Sequence, residues 1–252
     1  MNPRLPALIA HRGASGYAPE NTLASFELAL KLGAGAIEFD VQQTKDGRLV
    51  VIHDPDLKRV AGVRRRIGSL TYLELSQHDV GAWFDAKYRG ERVPLLEELL
   101  DLAQGRAELH LEIKNGTRPY PGIEERIVNL LRRRREWDGR VIISSFNHET
   151  LYLVRALDGS ARLGYLVGLT RRAEALKEAA ELGCESVHMS ARQVDRAWVE
   201  SLHERGRKLL VYTVNEPKDY ERLRGLGVDA VFTNFPDLGR LRREPAPGRA
   251  PS

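Results

Sequence analysis

The sequence holds a single cysteine, Cys184, so no internal disulfide can form and a cysteine-based metal site is excluded. Nothing therefore demands an oxidising compartment, and the residue preceding a strand suits inert packing. Long apolar runs are also missing: none approaches the ~20 residues that span a bilayer. The first ten residues carry one basic side chain and a very short apolar run, which does not read as a signal peptide. A cytoplasmic protein without stable membrane insertion is the expectation. Excess charge is scarce too, at +4 over 252 residues, which gives no reason to expect a nucleic-acid partner but suits an anionic substrate. The run Arg132 to Arg135 reads as a solvated helix face.

What remains is an ordinary globular composition, 42% hydrophobic and 29% charged, with enough chain to bury a core. Short apolar runs alternate with helical periods. Strands are expected near 7–10, from 34, and at 107–114, 140–145, 162–167, 186–189, 208–214 and 228–233. Between them lie helices opened by Asn21 or Thr22 and at 95–104, 123–135, 148–157, 173–182, 195–206 and 217–226, with a short closing helix after Pro236. Eight alternating units imply a parallel sheet closed into a (β/α)8 TIM barrel, with an open doubly wound sheet as the alternative. The barrel is expected to occupy 1–242 as one catalytic domain, with an irregular insertion at about 54–94 after the second strand and a disordered tail at 243–252.

Within the second strand, Glu38 and Asp40 stand two residues apart in an apolar run and so face the same side. Buried together they repel and lose hydration, which a divalent cation would relieve; otherwise one is salt-bridged and the other wet. Asp46-Gly47 signals a hairpin that returns His53 towards them. His11 and Arg12 follow the first strand, and Glu112 and Lys114 end the strand at 107–114. Barrel enzymes carry their sites at such strand ends. Glu38, Asp40 and Glu112 make a hard oxygen set for one Mg²⁺ or Ca²⁺, Arg12 and Lys114 suit a phosphate, and His11 and His53 can divide the proton transfers. Together they suit the cleavage of a phosphodiester.

The ordered motifs His11-Arg12-Gly13, Pro19-Glu20-Asn21-Thr22, Glu38-x-Asp40, Thr44-x-Asp46-Gly47, His53-Asp54, Glu112-x-Lys114 and Thr233-Asn234-x-Pro236 resemble the glycerophosphodiester phosphodiesterases. The likeness runs from His11 to about Asp237 and takes in Trp83, Phe84 and Tyr88 of the insertion. It implies a (β/α)8 barrel that hydrolyses small glycerophosphodiesters to glycerol 3-phosphate and an alcohol. By the same resemblance the metal ligands are Glu38, Asp40 and Glu112, the catalytic pair His11 and His53, and the phosphate contacts Arg12 and Lys114. Tyr212 stands where the family usually has Trp, a departure that bears on substrate fit. A lysophospholipase D and a barrel that binds without turnover are the other readings. Glu20 is open between metal or substrate binding and support of a helix N-terminus. His110 reads as a barrel-interior residue, His188 and Tyr212 as pocket-shaping residues near strand ends, and Trp83 and Phe84 as core or pocket wall.

Overall fold

The computed structural model describes residues 7–116 and 118–239. Strand β1 (Ala7–His11) leads through α1 (Leu23–Lys31) to β2 (Ala36–Gln43) and the short β3 (Leu49–Val51). The insertion holds two single-turn helices, α2 (Lys58–Ala61) and α3 (Tyr72–Leu75). Regular alternation follows: α4 (Leu96–Ala103), β4 (Glu108–Ile113), α5 (Ile123–Arg133), β5 (Val141–Ser145), α6 (His148–Leu157) and β6 (Arg162–Leu166). It ends with α7 (Arg172–Glu181), β7 (Ser186–Ser190), α8 (Arg196–His203), β8 (Lys208–Tyr212), α9 (Pro217–Leu226) and β9 (Ala230–Thr233).

Eight strands pair in parallel in the order β1, β2, β4, β5, β6, β7, β8, β9, and β9 pairs back onto β1. The closed ring is the barrel expected from the alternation, and it excludes the open sheet. Strand β3 lies outside the ring, antiparallel to the end of β2, with Val41 opposite Val51. The Asp46-Gly47 turn explains this return: Gly47 takes φ +77 and Thr44 Oγ1 donates to Asp46 Oδ1 at 2.6 Å.

Alternation along each strand divides the buried residues into two cores. Phe26, Phe39, Leu99 and Leu109 pack between sheet and helices, whereas Ile9, Leu210, Ala230 and Phe232 fill the barrel interior. His110 and His188 share that interior with ring centres 6.2 Å apart. Burial pushes His188 well below its usual pKa, so it is neutral, and its Nε2 lies 2.9 Å from Ser186 Oγ. Gly164 makes room for that ring, since a Cβ there would come within 2.5 Å of it. Gly164→Ala is therefore expected to destabilise the barrel by ~1–3 kcal/mol through overpacking, read as a lower denaturant midpoint at unchanged slope.

The insertion has its own small core, with Leu57, Val60, Ile67, Leu70, Leu75 and Val80 packed against Val50 of β3 and Ile52 just after it. Tyr88 Oη donates to Tyr17 O at 2.9 Å and Lys45 N to Leu70 O at 2.7 Å, which seats it against the loops after β1 and β2. Thr71 caps α3 reciprocally with Glu74. Trp83 departs from the core expectation: it is exposed, because its indole already donates to Val80 O and its ring lies beneath the Arg59 guanidinium at 5.7 Å. Cys184 is buried, and burial pushes its thiol up to about 12, in keeping with inert packing. After Pro236 the described chain forms a turn up to Gly239; the remainder of the closing segment and the 243–252 tail lie outside the described residues. Among the described residues no helix is long and apolar enough to cross a membrane.

Candidate active site

Strand register assembles the carboxylates. His11 pairs with Glu38 across β1 and β2, and Asp40 pairs with Glu112 across β2 and β4. One oxygen from each of Glu38, Asp40 and Glu112 lies within 4.8 Å of the others, and all three residues are buried. Lys114, two residues beyond Glu112 on the same face, brings its Nζ to 2.6 Å from Glu112 Oε1 and 3.0 Å from Asp40 Oδ1.

The turn after β1 folds back over this group. Arg12 adopts φ +54 and Gly13 φ +82, conformations that aim Arg12 N at Glu38 Oε2 (3.1 Å) and Arg12 Nε at Asp40 Oδ2 (3.1 Å). The left-handed Arg12 costs on the order of 1 kcal/mol and is held by its carbonyl, which accepts from Asn21 N and Ser25 Oγ. Only glycine fits at position 13, because a Cβ would meet Ser25 at 2.4 Å. Asn21, itself at φ +57, donates its side-chain amide to Asp40 Oδ2 at 2.8 Å.

Electrostatics sort these groups. Burial alone would raise the Asp40 carboxyl, but the Lys114 ammonium and the Arg12 guanidinium outweigh it and hold Asp40 well below the usual range. Burial and the neighbouring Asp40 push Glu38 well up, and burial pushes Glu112 up to about 7 against the pull of Lys114. With all three carboxylates ionised, as ligation of a metal requires, the cluster of three acids and two cations would carry one negative charge. A bound divalent cation would turn that into one positive charge, which matches a singly charged phosphodiester. The all-oxygen donor set and its strained ionisation thus fit a hard divalent cation.

Both histidines reach the same mouth. His11 Nδ1 lies 2.8 Å from Asn234 Oδ1, and its Nε2 faces Glu38 Oε2 at 3.9 Å. Burial, then the Arg12 charge, lowers His11 to about 4, so it is a neutral imidazole that donates from Nδ1 and offers a lone pair at Nε2. Ile52 N donates to Asp40 O, and His53 follows with Nδ1 2.7 Å from Asp54 Oδ1. Burial lowers the His53 pKa, with Asp40 opposing.

His11, Arg12, Glu38, His53, Glu112 and Lys114 line one cavity, and Asp40 lies beneath it. Phe146, Leu166, Tyr212 and Phe232 give the same cavity apolar lining beside Ser144, His188 and Thr213, with Phe146 edge-on to Tyr212 at 6.2 Å. Tyr212 and His188 thus border the cavity, as their strand positions suggested, and His110 remains an interior residue. Glu20 lies outside the carboxylate cluster and pairs with arginines instead. Sequence reading assigned no role to Asn234 or Asp54, and to Asn21 only that of a candidate helix cap, which Thr22 takes instead. Each sits inside a motif beside a named residue, and a polar residue at a strand end was the available signal.

The sequence pattern described as the glycerophosphoryl diester phosphodiesterase family matches residues 11–238. A glycerophosphodiester phosphodiesterase of Caldanaerobacter subterraneus subsp. tengcongensis is 39% identical over 233 residues, covering 91% of this chain and 94% of the relative. One from Bacillus subtilis is 34% identical, covering 94% and 86%. Among solved structures, an Oleispira antarctica phosphodiesterase in complex with the product sn-glycerol-3-phosphate superimposes with a TM-score of 0.83 at 31% identity, covering 95% of this chain and 98% of that one. The glycerophosphodiester phosphodiesterase of Thermotoga maritima gives 0.78 at 27% identity, covering 95% and 99%. With a family pattern that runs from the end of β1 past β9 and relatives alike over nearly their full length, the chain belongs to the glycerophosphoryl diester phosphodiesterase family and is a phosphoric diester hydrolase.

Proposed function

We propose that the chain hydrolyses glycerophosphodiesters to glycerol 3-phosphate and an alcohol, with the barrel and its insertion acting as one catalytic unit. The observation that carries this is the convergence of a buried carboxylate trio, two cations and two histidines at one barrel mouth. Glu38, Asp40 and Glu112 would hold one divalent cation, Mg²⁺ or Ca²⁺, which when bound supplies Lewis-acid neutralisation of charge on the phosphate. Arg12 and Lys114 present fixed positive charge to the phosphate oxygens, already ordered by Asp40. His11 takes the proton of the attacking oxygen at Nε2, whether that oxygen is water or the neighbouring glycerol hydroxyl. His53 would act from its protonated form, which the Asp54 carboxylate at Nδ1 favours, and give a proton to the departing alkoxide.

The apolar lining of Phe146, Leu166, Tyr212 and Phe232 favours a second substrate, a lysophospholipid whose chain would leave past it. A small-molecule partner, no nucleic acid and a cytoplasmic setting complete the reading, supported by the small net charge and the lone buried cysteine.

The test is incubation with glycerophosphocholine, glycerophosphoethanolamine and a lysophospholipid, followed by phosphorus NMR. Glycerol 3-phosphate is expected from the first two. Binding of either without turnover in any divalent metal would instead mark a barrel that only binds, and product from the lysophospholipid alone would move the substrate to the second reading.

A further inference from the structure

Two acidic residues beside the site share one partner. Arg59, on α2 of the insertion, donates through Nε to Asp54 Oδ2 at 2.6 Å. Its other nitrogens, Nη1 and Nη2, donate to Glu20 Oε2 and Oε1, both at 2.8 Å. Each acid then continues inward. Asp54 uses its second oxygen on His53 Nδ1 at 2.7 Å, and Glu20 Oε1 accepts from Arg12 Nη1 at 2.8 Å.

An isolated exposed ion pair contributes little, and the Arg59 side chain is 41% exposed. This one differs in geometry. The planar guanidinium fork meets one carboxylate bidentately and a second through its remaining edge, and a lysine ammonium cannot reproduce that arrangement. The partners are far more enclosed than Arg59 itself: Glu20 is 16%, Arg12 18% and Asp54 22% exposed at the side chain. Arg59 thus closes the network from outside, and the Trp83 ring, 5.7 Å from its guanidinium carbon, flanks it.

We propose that Arg59 is a positioning residue that ties the insertion to both halves of the site, fixing His53 through Asp54 and Arg12 through Glu20. Glu20 is then neither a metal ligand nor a helix-terminus device but the link between two arginines. The proposal rests on the hydrolytic reading above, in which His53 moves a proton and Arg12 holds phosphate. The insertion becomes part of the catalytic apparatus, since undocking α2 would release a histidine and a phosphate contact together.

Steady-state kinetics on glycerophosphocholine with Mg²⁺ or Ca²⁺ tests this, using Arg59→Ala, Arg59→Lys, Asp54→Asn, Glu20→Gln and the double variant Arg59→Ala/Asp54→Asn. Loss of an orienting partner typically costs ~10–100-fold, so Asp54→Asn is expected to lose that factor in kcat with KM little changed. Glu20→Gln is expected to raise KM about 10-fold with kcat nearly kept. Arg59→Ala should show both effects, and the double variant should have no lower kcat than Asp54→Asn alone. Added guanidinium ion should restore part of the kcat of Arg59→Ala and none of that of Asp54→Asn. Arg59→Lys, which keeps the charge, should still lose kcat because one ammonium does not span both carboxylates. Arg59→Ala kinetics within about twofold of the parent, or losses that multiply in the double variant, would overturn the relay. A parent without turnover overturns the hydrolytic reading and the relay together, so the two failures are distinguishable.

Discussion

Stripping divalent cations with a chelator is expected to reduce turnover to background, with recovery on adding back Mg²⁺ or Ca²⁺. Without a cation the three carboxylates outnumber the two cations that touch them, and burial pushes Glu38 and Glu112 towards their protonated forms. The same imbalance has a thermodynamic signature. A cation at a hundredfold its Kd stabilises the native state by about 2.7 kcal/mol, provided the unfolded chain does not bind it. For a chain of this size each kcal/mol moves Tm by about 2–4 °C, so a rise of roughly 5–10 °C is expected. Glu112→Gln should lose most of that rise as well as activity, since it removes one charged ligand. Full turnover in chelator, together with a Tm indifferent to metal, would remove the metal from the mechanism.

His11→Ala is expected to lower kcat by about 10²–10⁴-fold, the range for removal of a general acid or base. The melting temperature should change little by comparison, because the side chain sits at a strand end rather than in the packed core. Asn234 separates orientation from chemistry. Its Oδ1 accepts from His11 Nδ1 at 2.8 Å and thereby selects the tautomer whose Nε2 lone pair faces the cavity. Asn234→Ala should therefore cost an intermediate factor, about 10–100-fold, and Asn234→Asp should keep the acceptor and recover part of it. If His11→Ala equals the parent, the proton acceptor lies elsewhere. If Asn234→Ala equals the parent, the tautomer is not limiting.

Much of the barrel is written in short-range pattern. Apolar runs of strand length alternate with helical periods, and eight such units leave little but closure, which β1 pairing with both β2 and β9 provides. The hairpin at Asp46-Gly47 was equally readable, because turn chemistry is local. The insertion was harder. Its small core depends on Val50 of β3 and Ile52 just after it, contacts that no periodicity announces, and Trp83 lies outside that core.

The sequence by itself determined which groups stand towards the strand ends: the Glu38 and Asp40 pair on one face of β2, Glu112 near the end of β4 with Lys114 just past it, and His11 at the end of β1. Period-two alternation suffices for that. Only the tertiary structure decided how they meet. Strand register sets Asp40 beside Glu112, the left-handed turn at Arg12 brings its guanidinium onto Asp40, and Asn234 arrives 223 residues away from His11 to orient it. The same holds for Arg59, whose two acidic partners come from different loops. Such contacts depend on ring closure and on packing between distant segments, and neither leaves a mark in the local order of residues.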